Sequence, residues 1–238
     1  MNTAIGLARL GETVEFCGRL SADRFGEQLR SHLTTNGVGL ALATVSEDPT
    51  SLAVVSLDDQ HRASYAFHFD RTANFGWQAG ELPGLDPADW LHVGSLATVV
   101  KPGAEVVRRW TDRHSGPMSF DINVRPTVIG DPRDYWRRVE PWLALIGAHQ
   151  GVVKASDEDI AALSSVSGIP EGGDPLATMA RWQDRYGFQV AVVTLGPDGA
   201  WARQAGRSGE PLRIAGRRVN VVDTVGAGDT FMAGFLAA

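Results

Sequence analysis

Segments with helical and strand-like spacing of apolar residues alternate along almost the whole chain. Residues 21–37, for example, place Phe25, Leu29 and Leu33 at every fourth position, which is the spacing of an amphipathic helix. Residues 118–123 are a short β-rich run of the kind that separates such segments. Because alternating strands and helices are typical of parallel sheets, the pattern predicts an α/β fold with a mainly parallel, doubly wound sheet covered by helices.

The same patterns predict individual elements. Ser21 is a candidate N-cap for the helix at 21–37, and Gly37 is expected to end that helix. Helices are predicted at residues 2–11, 21–37, 103–114, 132–147, 156–164 and 174–187, and over the apolar run that closes the chain. Strands are predicted at residues 13–18, 90–96, 118–123, 151–156, 188–196, 199–204 and 218–223.

Residues 51–69 depart from this alternation. Two β-rich runs flank the polar segment 58–62, and Tyr65, Phe67 and Phe69 alternate along the second run. Two such runs around a polar turn are typical of a β-hairpin. We therefore expect a hairpin that stands outside the alternating sheet.

Composition limits the classes of partner. With 43% hydrophobic and 21% charged residues among 238, the chain can bury a substantial core. A net charge of −6 without clustered Lys and Arg argues against a nucleic-acid or anionic membrane partner. No apolar run approaches the roughly 18 residues of a membrane span, and the single cysteine, Cys17, offers no intrachain disulfide. We expect a cytoplasmic protein.

Polar and glycine residues follow four of the predicted strands, at residues 121–126, 154–159, 194–199 and 223–229. Parallel sheets bind ligands at the carboxyl ends of their strands, so these turns are the expected place for chemistry. The six histidines have none of the spacings that are typical of metal sites, so we predict no metal-ligating residues.

The last of these turns has the features of an anion-binding loop. Gly226 and Gly228 are expected to let the backbone turn sharply, and the apolar run after them predicts a helix whose first N–H groups face the turn. The turn matches neither a Walker A loop nor the dinucleotide fingerprint. Asp229 is therefore either a helix cap or a base that takes the proton of a hydroxyl as that hydroxyl attacks a phosphoryl group.

The residues of this turn also carry a family resemblance. "DTVGAGDTFMAGF" resembles the C-terminal signature of the PfkB, or ribokinase-like, carbohydrate kinases, and "NTAIGLARLG", "SFDINVRP" and "VTLGPDGA" resemble other segments of that family in order and spacing. The resemblance implies a ribokinase-like, Rossmann-like three-layer fold with a small β-sheet lid. It implies one kinase domain over residues 1–238, with the lid hairpin inserted at about residues 51–69.

The resemblance also assigns roles to individual residues. Asp229 would be the catalytic base, and the N–H groups of Gly226, Ala227 and Gly228 would stabilise the transferred phosphoryl. Asn2 and Arg125 would contact the substrate. The residues implied at the nucleotide are Thr194, Gly196, Gly199, Asp223 and Thr224, together with Ser156 and Asp159.

The implied ligands follow from the same resemblance. The cofactors would be ATP and Mg²⁺, with a monovalent cation as a further candidate, and the partner would be a small-molecule sugar. A homodimer formed through the lid is also expected. Fructose is the favoured sugar, with ribokinase and 2-keto-3-deoxygluconate kinase activity as alternatives. A non-catalytic sugar- or nucleotide-binding relic is the alternative from another class.

Two departures from the family pattern bear on these roles. The family's Asn-x-x-Glu element, which positions phosphate and metal-bound water, is replaced here by Ser156-x-x-Asp159. A Ser and an Asp at this spacing are equally typical of a helix-capping pair. The chain also begins at the signature asparagine and ends on the helix after Asp229, which indicates truncation at both ends.

Overall fold

A computed structural model of the protein describes residues 1–57, 63–168, 173–220 and 224–238. The chain divides into two compact units. Unit 1 comprises Met1–Pro83, Lys101–Val106 and Val221–Ala238, and unit 2 comprises Gly84–Val100 and Val107–Asn220.

The helices and strands of the described residues follow the predicted alternation. The helices are α1 (Asn2–Arg9), α2 (Arg24–Thr35), α3 (Gly103–Thr111), α4 (Pro132–Ala148), α5 (Asp157–Ser164), α6 (Pro175–Tyr186) and α7 (Ala227–Leu236). The strands are β1 (Arg19–Ser21), β2 (Thr44–Ser46), β3 (Leu52–Leu57), β4 (Ala63–His68), β5 (Leu91–Gly94), β6 (Met118–Asp121), β7 (Val152–Ser156), β8 (Val190–Thr194), β9 (Ala200–Gln204) and β10 (Leu212–Ile214).

Unit 2 is built on a six-stranded sheet in the order β10-β9-β8-β7-β6-β5. Strands β5 to β8 run parallel, whereas β9 is antiparallel to β8 and β10 is antiparallel to β9. The turn between β8 and β9 is short, and a short turn can join only antiparallel neighbours. The predicted α/β class with a mainly parallel sheet is confirmed, with antiparallel strands at one edge.

Aromatic side chains fill the core of unit 2. Phe120 of β6 stacks on Trp142 of α4 with ring centroids 5.6 Å apart, and Trp136 of α4 lies 5.2 Å from Trp182 of α6. All four side chains are buried. Since large aromatic rings bury much apolar surface, these contacts fix α4 and α6 on the sheet.

Unit 1 holds α1, α2 and α7 with two small sheets. Strands β1 and β2 pair in parallel, and Leu20 of β1 packs in a buried cluster with Ile5, Leu33 and Val38. Strands β3 and β4 pair with each other, Leu52 opposite His68, as an antiparallel hairpin in a sheet of its own. The predicted hairpin is therefore confirmed, while its polar turn at 58–62 lies outside the described residues.

The start of the β1–α2 region differs from prediction. The strand predicted at 13–18 is wrong, because Glu15 makes only an isolated bridge to Gly39 and the continuous ladder begins at Arg19, where β2 supplies a partner. The predicted N-cap of α2 is also wrong. Asp23 caps the helix by accepting from the Gly26 N–H at 2.8 Å, whereas Ser21 ends β1 and accepts from the Asp23 N–H.

The segment before α7 also differs from prediction. Residues 218–220 are not in a strand, and the rest of the strand predicted at 218–223 lies outside the described residues. Strand β10, seven residues upstream of Val221 at its closest, pairs instead with β9. A strand needs a partner for its backbone N–H and C=O groups, and the edge of β9 is paired with β10 rather than with residues 218–220.

Candidate active site

The glycine turn before α7 positions Asp229. Gly226 is the N-cap residue with φ of 79°, a left-handed conformation that favours glycine, and α7 begins at Ala227. Gly228 is the second residue of the helix, so the expectation that it forms part of the turn is wrong. Of these two glycines, only Gly226 has a left-handed φ. Asp229 is the third residue of α7 and is half-buried.

Both oxygens of the Asp229 carboxylate accept hydrogen bonds from α1. The Asn2 side-chain amide donates to Oδ2 at 2.9 Å, and the buried Thr3 hydroxyl donates to Oδ1 at 3.4 Å. The Asn2 side chain, predicted as a substrate contact, thus lies against the predicted base. Thr3 was missed by sequence reasoning, because a threonine in the first turn of a helix carries no signal of a partner on α7.

Close packing of α1 on α7 makes these hydrogen bonds geometrically available. A Cβ atom added at Gly6 would lie 2.6 Å from the Cβ of Ala233, closer than such atoms approach in proteins. The absence of a side chain at Gly6 therefore lets the two helices approach. This approach brings the start of α1 to Asp229.

One of the predicted anion-binding N–H groups already has a partner. The Ala227 N–H donates to the carbonyl oxygen of Thr224 at 3.1 Å, which closes the turn over residues 224–227. Thr224 is exposed, and Asp223, which the resemblance also places at the nucleotide, lies outside the described residues.

Ser156 and Asp159 form a reciprocal capping box at the start of α5, in unit 2. The Asp159 N–H donates to Ser156 Oγ at 3.0 Å, and the Ser156 N–H donates to Asp159 Oδ2 at 2.8 Å. Asp159 is only 7% exposed. Of the two interpretations left open by the sequence, the capping pair is the arrangement present in the structure.

The turn after β6 carries Arg125. Its N–H donates to the Tyr135 hydroxyl oxygen at 3.1 Å, and its guanidinium donates to the Val124 carbonyl at 2.9 Å. Burial raises the pKa of Tyr135 to about 12, so the hydroxyl stays neutral near pH 7. Arg125 itself is exposed. Tyr135 was missed by sequence reasoning, since its partner lies ten residues away on a loop.

A buried ion pair joins the ends of β6 and β7. Lys154 Nζ lies 3.0 Å from Asp121 Oδ2, with side chains 4% and 5% exposed, and the two residues are in register on adjacent strands. Each buried charge is stabilised by its partner, so removal of either side chain would leave the other charge buried without that partner. The pair therefore fixes the strand ends from which two of the predicted turns depart.

The third predicted turn follows β8. Thr194 ends that strand opposite Ser156 of β7, and the Leu195 N–H donates to the Gly199 carbonyl at 2.8 Å. Gly196 and Gly199 have φ of 54° and 98°. The turns after β6, β7 and β8 thus lie at the carboxyl edge of neighbouring parallel strands, as predicted.

The described residues contain no group of three or more His, Cys, Asp or Glu side chains arranged to hold a metal ion. Within the same residues, no helix has both the length and the apolar character needed to cross a membrane.

Comparison with known proteins decides the family. The family model for pfkB family carbohydrate kinases matches residues 1–238. The chain belongs to this family. It is therefore a sugar kinase, and the family and enzyme class predicted from the sequence are confirmed.

Individual pfkB kinases extend this result. A fructokinase from Rhizobium leguminosarum bv. trifolii is 34% identical over 240 residues, which cover 100% of this chain and 69% of the relative. An aminoimidazole riboside kinase from Salmonella typhimurium is 28% identical, with 99% of this chain and 70% of the relative covered. The structure of a Vibrio cholerae fructokinase double mutant bound to fructose, ADP and potassium ion matches with a TM-score of 0.80 at 28% identity, covering 99% of this chain and 73% of that one. The ribokinase-like fold is confirmed by such neighbours.

Proposed function

We propose that this pfkB kinase transfers the γ-phosphoryl group of ATP to a hydroxyl group of fructose. The observation that carries the proposal is the fructokinase relative at 34% identity, which aligns with the chain from end to end. The Vibrio cholerae relative, crystallised with fructose and ADP, supports both the sugar and the nucleotide.

In this proposal Asp229 is the general base. It takes the proton of the sugar hydroxyl as the hydroxyl oxygen bonds to the γ-phosphorus of ATP, and the bond from that phosphorus to the ADP oxygen breaks. Hydrogen bonds from Asn2 and Thr3 hold the carboxylate in one orientation. Since a carboxylate oxygen can accept more than one hydrogen bond, each keeps a position for the substrate hydroxyl.

The start of α7 would stabilise the charge on the transferred group. Backbone N–H groups and the helix dipole favour an anion at a helix N-terminus. We assign this role to the N–H groups of Gly226, Ala227 and Gly228. The Ala227 N–H would exchange its bond to the Thr224 carbonyl for one to a phosphoryl oxygen.

The remaining contacts are proposed from the turns at the sheet edge. Thr194, Gly196 and Gly199 would approach ATP, with Asp223 and Thr224 shaping the loop before α7. Asn2, which hydrogen-bonds to Asp229, would also contact the sugar. The exposed Arg125 would contact a phosphate or the sugar. Mg²⁺ would arrive with ATP. We assign it no side chain, because Asp159, the carboxylate that replaces the family's Glu at phosphate and metal-bound water, is buried in a capping box. A monovalent cation is a further candidate cofactor.

The hairpin β3–β4 is proposed as a lid over the sugar. Excluding water from a kinase site suppresses hydrolysis of the nucleotide, which is the physical reason for such a lid. We also propose that residues 1–238 form one kinase domain. The protein would form a homodimer through the hairpin and would be located in the cytoplasm.

A substrate panel tests the proposal. Initial rates with Mg-ATP are measured for fructose, ribose, 2-keto-3-deoxygluconate and aminoimidazole riboside, the last because a relative of that name matches the chain. We expect the highest kcat/KM with fructose. A higher value for any other sugar would replace fructose as the substrate without affecting the family assignment.

A further inference from the structure

We propose that Asp159 is a positioning residue that ties the turn after β7 to the loop after β6, and that it is not a ligand of Mg²⁺ or of metal-bound water. All the residues that form this tie lie in unit 2. Its consequence for catalysis rests on the proposed function, in which Arg125 of that loop contacts a phosphate or the sugar.

The two carboxylate oxygens of Asp159 bind N–H groups from different segments. Oδ1 accepts from the Val124 N–H at 2.7 Å, and Oδ2 accepts from the Ser156 N–H at 2.8 Å. Both bonds are short and join a charged acceptor to a backbone donor, the kind of hydrogen bond that is stronger than a neutral one. One side chain therefore caps α5 and holds a loop 35 residues earlier in the chain.

Two further N–H groups of that loop also have partners in unit 2. The Ile122 N–H donates to the Lys154 carbonyl at 3.0 Å, and the Arg125 N–H donates to the Tyr135 hydroxyl at 3.1 Å. Between them Asn123 has a left-handed φ of 44°, which is uncommon for a residue with a side chain. Bonds on both sides of this angle hold the loop in one conformation and fix where the Arg125 side chain leaves it.

The same geometry argues against a metal role. A carboxylate that holds Mg²⁺ or its water must present an oxygen to solvent, because Mg²⁺ keeps several waters when bound to proteins. Asp159 is 7% exposed, so its two oxygens, which already accept from backbone donors, present little surface at which Mg²⁺ or its water could bind. The residues present do not fit the role that the Asn-x-x-Glu resemblance implied for them.

Amide hydrogen exchange of the whole chain, without sugar or nucleotide, tests the tie directly. In Asp159→Asn the side-chain amide has one oxygen, so it can accept from the Val124 N–H or from the Ser156 N–H but not from both. We expect exchange at Val124 or Ser156 to accelerate about ten- to hundredfold, the range set by losing one hydrogen bond to a charged group. Asp157→Asn is the matched control, since it removes the same charge from the same helical turn. Within the described residues, the Asp157 carboxylate accepts a hydrogen bond only from the Glu158 N–H. Exchange at both amides should be unchanged in the control.

Kinetics with Mg-ATP then separate positioning from metal binding. For Asp159→Asn the tie predicts a higher KM for ATP or for fructose, whichever Arg125 contacts, with the same free Mg²⁺ concentration at half-maximal activity. Unchanged exchange at both Val124 and Ser156 would overturn the tie, and a severalfold higher Mg²⁺ requirement would overturn the exclusion of a metal role. An equal acceleration at all amides would also overturn the tie, because that is global destabilisation rather than loss of a local tie.

Asp159→Glu is the second variant, for the case in which Asp159→Asn does not fold. It keeps the charge on a longer side chain. The tie predicts faster exchange at Val124 and an unchanged Mg²⁺ requirement, whereas a metal ligand predicts a lower Mg²⁺ requirement. Because the exchange measurement uses no substrate, it remains decisive even if the panel shows that fructose is not phosphorylated.

Discussion

Two aspartates occupy the same position in two helices of this kinase and have different environments. Asp159 is the third residue of α5 and Asp229 is the third residue of α7. The Asp159 carboxylate turns back to the N–H of its own N-cap residue and is buried. The Asp229 carboxylate is half-buried and turns to side chains of another helix, α1.

The N-cap residues explain part of the difference. Ser156 has a hydroxyl that accepts from the Asp159 N–H, which completes a capping box with the carboxylate. Gly226 has no side chain and takes a left-handed φ, so α7 has no side-chain cap. In α5 the carboxylate at the third position stabilises the helix start, because it and the N-cap serine form a reciprocal capping box. In α7 the N-cap is a glycine, so the carboxylate at the same position does not form a capping box and can contact other groups.

The largest expected effect is on turnover after Asp229→Asn. This change keeps the shape of the side chain but removes its ability to accept a proton. Loss of a general base typically costs about 10²- to 10⁴-fold in rate, and we expect the loss in kcat rather than in KM. Steady-state kinetics on fructose measure the loss of turnover. Denaturant unfolding of the same variant should stay within about 2 kcal/mol of the parent, because the amide oxygen can still accept one of the two hydrogen bonds from α1. A loss confined to KM would make Asp229 a binding residue.

The next effect is on stability after Asp159→Ala. Two backbone N–H groups would lose a charged acceptor, so we expect the free energy of unfolding to fall by about 2–4 kcal/mol. Asp157→Ala, two residues earlier in the same helical turn, should cost about 1 kcal/mol or less, because within the described residues the Asp157 carboxylate accepts only from the Glu158 N–H. Urea denaturation of both variants provides the values. Equal costs for the two changes would contradict the structural role of Asp159.

The smallest effect concerns the glycine cap. Gly226→Ala should lower the free energy of unfolding by about 1–2 kcal/mol, because an L-residue is strained at this φ. The added Cβ would be 3.7 Å from Asn2 Nδ2, an ordinary contact, so the cost reports backbone strain. Gly234→Ala is the control, because an added Cβ would meet no atom of the described residues within 4 Å outside its own stretch of helix. In the interior of α7 it should instead stabilise by roughly 0.5–1 kcal/mol. Stabilisation by both changes would mean that Gly226 is not held in the left-handed conformation.

Features set by neighbouring residues could be predicted from the sequence. The Ser156–Asp159 capping pair was one of two interpretations because its members are three residues apart, and the hairpin β3–β4 followed from alternation on either side of a polar turn. Elements that depend on a distant partner could not be predicted in the same way. The strand predicted at 13–18 is reduced to a single bridge, and the three-residue strand β2 was missed, because in each case the partner decides the ladder.

In the candidate site, too, features set by neighbouring residues could be predicted and features that depend on a distant partner could not. Asp229 and the turn at Gly226 were identified from one continuous motif. Thr3 and Tyr135 were not, because their hydrogen bonds depend on how α1 packs on α7 and how α4 lies beside the loop after β6. The expectation that Gly228 forms part of the turn was wrong for a local reason, since α7 begins one residue before it.

Turnover of Asp229→Asn and Asp159→Asn, measured side by side with saturating fructose and Mg-ATP, tests the central claim most directly. Both variants make the same isosteric change at the third residue of a helix. The account predicts that kcat falls at least about a hundredfold further in Asp229→Asn, because only Asp229 takes a proton. Equal losses of kcat in the two variants, or a larger loss in Asp159→Asn, would contradict it.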